Sequence, residues 1–88
     1  MTTNQKLTEI RRWRFDELVS GISDDSLLEK WADDFEPKTK ADQIELRQIF
    51  ALGCWIDSGR SLEELQTMKW SLLEFWIDGK TVSVKVMG

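Results

Sequence analysis

The segment LEFWIDGKTVSVK, residues 73–85, decides the fold, because its first half reads equally well as helix and as strand. Read as helix from residue 62 onward, Leu62, Leu65, Met68, Leu72, Leu73 and Trp76 fall on one broad arc. Glu63, Glu64, Thr67, Ser71 and Glu74 fall on the other, and only Gln66 and Lys69 are out of place. Read as hairpin, Asp78-Gly79 is a favoured two-residue turn. That turn would pair Phe75 with Val82 and Leu73 with Val84 on one face, and Trp76 with Thr81 on the other. The β-branched alternation of the following residues makes them a strand in either reading. A lone strand needs a partner and residues 72–77 are the nearest one, so the balance tips towards the hairpin. If the helix holds instead, the last strand is an open edge, and self-association through it would be expected.

Upstream, the helix signals are clearer. Ser61 followed by Glu64 is a capping box and fixes a helix start, so residues 62 to about 70 are read as helical. Residues 40–57 predict a third helix with Thr39 as cap and Gly59 beyond its end. Its centre, IFALGCWI, is apolar nearly all round and is expected to be the buried element that the others pack on. Residues 23–37 predict a second helix, with Ser23 as cap, Asp24 and Asp25 suited to the positive end of the dipole, and Pro37 blocking continuation. Leu27, Leu28, Trp31 and Phe35 would face inward. Residues 3–21 predict a first helix closed by Gly21, with Leu7, Ile10, Phe15 and Leu18 on one arc. The expected fold is therefore mainly α: three to four helices with a short C-terminal β-hairpin or strand, in one small globular domain spanning 1–88.

Composition narrows the function. The chain has 88 residues, 41% apolar and 32% charged, which fits a globular protein near the lower size limit for an unstapled core. It has no histidine, which removes the commonest general base and metal ligand. The single cysteine, Cys54, makes neither a disulfide nor a zinc site, and its apolar surroundings suggest an inert thiol. No glycine-rich phosphate loop is present, and the pairs Asp24-Asp25 and Asp33-Asp34 lack the spacing of a calcium loop. No enzymatic role, cofactor or metal is expected. The formal charge of −4 argues against nucleic acid as a general partner. No stretch approaches the roughly 20 apolar residues of a membrane helix, and the start lacks a signal-peptide pattern, so a cytoplasmic location is expected.

Binding features remain. RRWR, residues 11–14, is unusual: on a helical wheel Arg11 and Arg14 fall inside the apolar arc and Trp13 points away. The arginines can snorkel from the core edge towards the acidic second helix, with Trp13 covering a loop. Alternatively Trp13 with Arg12 forms a hot spot for a partner protein. Between Asp24 and Glu36 stand six acidic residues and one lysine. This is either a solubilising face or a docking surface, with Asp24, Asp25, Asp33, Asp34 and Glu36 as its contacts. Of the five tryptophans, Trp31, Trp55 and at least one of Trp70 and Trp76 suit a core.

Residues 61–79, SLEELQTMKWSLLEFWIDG, resemble the short helical signature of small bacteriophage tail-assembly proteins, through Ser61, Leu65, Met68, Leu73 and Trp76. The resemblance implies a non-enzymatic protein that binds other phage proteins during assembly. Together these readings predict a protein-binding module, an assembly factor or an inhibitor that docks on a host protein through its acidic surface. The alternative is a winged-helix-like DNA-binding regulator, with Arg11, Arg12 and Arg14 on phosphates and residues 61–70 as recognition helix.

Overall fold

The computed structural model describes residues 4–21, 24–32, 36, 38–79 and 81–88. The elements run β1 (Gln5–Arg11), α1 (Arg12–Gly21), α2 (Asp24–Ala32), α3 (Lys40–Asp57), α4 (Leu62–Gln66), β2 (Leu72–Asp78) and β3 (Thr81–Met87). The strands form one antiparallel sheet in the order β1-β2-β3. The mainly α expectation is therefore corrected: this is an α+β fold, in which a strand from the N-terminus joins the C-terminal hairpin.

That strand occupies the first half of the segment expected to be a helix. A β-bulge explains why its period was disguised. Lys6 lies opposite Trp76 and Thr8 opposite Phe75, so Leu7 is the extra residue. A regular strand sends Leu7 and Ile10 to opposite faces. The bulge lets Leu7 pack against the core alongside fully buried Ile10. Two apolar residues three apart are also what a helix presents, and with Phe15 and Leu18 of α1 they completed a false arc.

The opening ambiguity resolves as a hairpin, in a different register. Asp78 pairs with Thr81, Phe75 with Val84 and Leu73 with Val86, so the turn falls between Asp78 and Thr81, with Gly79 at φ +64°. The shift moves each partner by two residues, which keeps every side chain on its face. Leu73, Phe75 and Val82 are buried on the core side. Leu72, Trp76 and Met87 are half-buried on the outer side. Glu9 and Glu74 face each other there across β1 and β2, and Lys6 relieves the like-charge pair, with its Nζ 2.7 Å from Glu9 and 3.6 Å from Glu74.

The α3 boundaries match the sequence reading. Thr39 Oγ1 accepts from the Asp42 N–H at 3.1 Å, and the Asp42 carboxylate accepts from the Thr39 N–H at 3.3 Å. Beyond the other end stands Gly59, at φ +90°. α3 lies against β1 and β3, α2 packs on α3, and Ile49, Ala51, Leu52 and Trp55 carry the shared core. In α2, Leu27 is fully buried. The proposed cap Ser23, the Trp31 side chain, Phe35 and Pro37 lie outside the described residues.

α4 starts as expected, with the Glu64 carboxylate accepting from the Ser61 N–H at 3.5 Å, but it runs only to Gln66. Its terminal carbonyls are taken by side-chain donors, one near in sequence and one distant. The Trp70 indole donates to the Leu65 carbonyl at 2.6 Å, and the Arg12 guanidinium donates to Gln66 O at 2.9 Å and Met68 O at 3.1 Å. The tail-assembly-like stretch is thus divided between a short helix and a strand: Ser61 caps α4 and Leu65 belongs to it, while Leu73 and Trp76 stand in β2.

Candidate protein-docking groove

Arg11 to Arg14 stand at the junction of β1 and α1, and the four side chains take different roles. Arg11 ends the strand and is exposed. Arg12 turns back over the molecule: besides the two α4-region carbonyls, it meets Asp16 at 3.3 Å and lies 4.8 Å from the Trp70 ring centroid. Arg12 is thus committed to holding α1 against the 66–70 turn. Trp70 in turn stacks edge-on to Phe15, with centroids 5.2 Å apart. Trp13 is 65% exposed, the most exposed of the large apolar side chains described.

Among the described residues Arg14 meets α1 and α3 and not the acidic second helix. Its Nε donates to Gln48 Oε1 at 3.1 Å, and its two terminal nitrogens lie 3.0 Å from Glu17 and 3.1 Å from Glu45. Gln48, 7% exposed, passes the link on by donating through Nε2 to the Glu9 carbonyl at 3.4 Å. This chain of polar contacts ties α1, α3 and the outer edge of β1 together, and it satisfies groups that β1, as an edge strand, leaves without a ladder partner.

A groove of about 790 Å³ runs beside this junction. Lys6 to Glu9 and Arg11 of β1 form one side, and Ala41, Ile44, Glu45, Arg47 and Gln48 of α3 form the other. Trp13 and Arg14 also line it. On α3, residues 41, 44, 45 and 48 recur at helical spacing and so share a face. Ile44 is 52% exposed, so the groove carries two large apolar side chains open to solvent. Its charges differ in availability. Glu9 is held by Lys6, Glu45 by Arg14, and Asp42 by the α3 cap. The Lys6 ammonium holds the Glu9 carboxyl below its ordinary range, and Glu9 in turn raises the Lys6 ammonium. Among the described residues Arg11 and Arg47 make no contact ion pair, although the Arg11 charge adds a smaller, longer-range pull that helps hold the Glu9 carboxyl down.

The residues singled out in the sequence separate accordingly. Trp13 heads the groove; Arg12 does not line it and serves the fold. Asp25, in the first turn of α2, and Glu36 are exposed, and neither lines the groove. The Asp24 side chain, Asp33 and Asp34 lie outside the described residues. Sequence reasoning missed Ile44, Arg47 and the role of Arg11. Ile44 stood outside the apolar centre of α3, and that displacement was the available signal.

Among the described residues there is no cluster of three or more histidine, cysteine or carboxylate side chains able to hold a metal ion, and no buried side-chain polar atom lacks a partner. Cys54 is half-buried, and burial, with Asp57 nearby, raises its thiol above the ordinary range. Among the described residues no helix is long and apolar enough to cross a membrane. No protein-family model, no curated protein and no solved structure matches this chain.

Proposed function

We propose that this protein is a non-enzymatic binding module that docks on another protein through the groove headed by Trp13. The observation that carries the reading is the exposure of Trp13, at 65%, on the same groove as half-exposed Ile44. An exposed tryptophan gains little for a monomer, whereas a partner that covers it removes a large apolar surface from water. The fold supports it: the bonds of Arg12, Arg14 and Gln48 tie the α1 start to the 66–70 turn, α3 and β1, so Trp13 is presented from a backbone held on several sides. The resemblance of residues 61–79 to phage tail-assembly proteins suggests an assembly factor as the setting, with a host inhibitor as the other form of the same activity.

The DNA-binding alternative is weaker on a specific ground. The helix that would enter the major groove has five residues, carries exposed Glu63 and Glu64, and contains no cation. The test of the docking reading is site-specific photo-crosslinking in the source cell, with a benzophenone side chain in place of Trp13, Ile44 or Glu63. One protein adduct formed at 13 and 44 and missing at 63, then reconstituted from purified components, is the expected result. Adducts at 63 alone would contradict the proposal.

A further inference from the structure

The unpaired arginines say more about what the groove accepts. Resting on the docking proposal, we propose that the partner presents an acidic segment: an apolar side chain that seats against Trp13 and Ile44, flanked by carboxylates that pair with Arg11 and Arg47.

Three observations support this. The chain carries a formal charge of −4, and yet this groove is lined by four cations against three carboxylates. The three carboxylates are all engaged, Glu9 with Lys6, Glu45 with Arg14 and Asp42 with the backbone of its helix cap. Among the described residues the groove therefore still offers an incoming charge two guanidinium groups without a contact ion pair, Arg11 at the end of β1 and Arg47 on α3. Guanidinium is weakly hydrated and has a fork geometry that matches a carboxylate, so pairing it costs less desolvation than pairing an ammonium.

The same geometry excludes two other modes. Adding a partner strand to β1 would need a regular open edge. Here the bulge at Leu7 breaks the edge, and Gln48 already bonds the Glu9 carbonyl, so recognition falls to side chains rather than to the backbone ladder. A nucleic-acid strand brings a continuous run of phosphates past Glu9, Asp42 and Glu45, whereas a protein segment can place its carboxylates singly, away from them.

The test is selection of a random peptide library displayed on the intact protein, with counter-selection on Trp13→Ala. The expected outcome is a Trp13-dependent pool in which Asp or Glu flanks a large apolar residue. Arg11→Gln/Arg47→Gln, which breaks no ion pair among the described residues and adds no like charge beside Glu9, should weaken those peptides about tenfold, with the melting curve retained. A Trp13-dependent pool without acidic enrichment, or one whose affinity the double variant leaves unchanged, overturns the acidic-partner inference and leaves the docking proposal standing. The absence of any Trp13-dependent sequence sinks both. Displacement of the selected peptides by a poly-dT oligonucleotide at physiological salt would assign the two arginines to phosphate and overturn the inference.

Discussion

Arg12 donates its guanidinium to the carbonyls of Gln66 and Met68, while the next residue, Trp13, leaves its indole in solvent. Neighbours in sequence therefore predict opposite mutational outcomes. Trp13→Ala removes almost nothing from the core, so its urea midpoint should move by no more than about 0.5 kcal/mol of stability. Arg12→Ala leaves two carbonyls without a donor and strips the cation from the Trp70 face, so a loss of about 1–2 kcal/mol is expected, discounted for its partial exposure. Equal effects in the same denaturation series would mean that Trp13 is packed. Cys54 gives a pH test. Burial raises its thiol, so the folded state holds the proton more tightly than the unfolded chain. The stability contributed by the neutral thiol is therefore intact below the ordinary value of 9.0 and is lost as pH rises through the folded value. Labelling by a disulfide reagent should lag behind that of a free cysteine at pH 8 and catch up in urea; equal rates in both would show an open thiolate.

At the scale of elements, legibility followed the range of the interactions involved. α3 was readable to the residue because its limits rest on contacts three or four residues apart: the Thr39–Asp42 box, and Gly59 in the left-handed region. The start of α4 was local as well, but its end was not. Its last carbonyls are taken by Arg12, 54 residues away, and by the Trp70 indole, partners that the local pattern does not reveal. β1 was invisible for a related reason: its ladder partner lies at the other end of the chain, and the bulge at Leu7 gave its apolar residues helical spacing. The hairpin was legible in kind and missed in register, since Asp78-Gly79 and Gly79-Lys80 are both plausible turns by composition. The turn itself is testable. At φ +64° a β-branched side chain is strained, so Gly79→Val should cost about 1–2 kcal/mol in chemical denaturation, and Gly79→Asn clearly less. No difference between the two would place Gly79 outside the turn.

Over the whole molecule, a three-stranded sheet and α3 enclose one apolar cluster, and the site is what that arrangement leaves open beside β1. The sequence offered Trp13 as a candidate because RRWR is conspicuous. It could not supply Ile44 and Arg47, which reach the same groove only after α3 is laid along the sheet. Nor could it tell which arginine is free, since pairing depends on Gln48, Glu45 and the 66–70 turn arriving from elsewhere. The central claim is a groove headed by an exposed tryptophan, and the indole protons report on it directly. The measurement is hydrogen exchange of the tryptophan indole N–H groups by nitrogen-15 NMR, at low and high protein concentration. Trp55 and Trp70 donate to the Ser61 and Leu65 carbonyls and should be protected, while Trp13 exchanges at the rate of a free indole at both concentrations. A protected Trp13 indole would contradict the account, placing that side chain in a core or against a second copy of the chain.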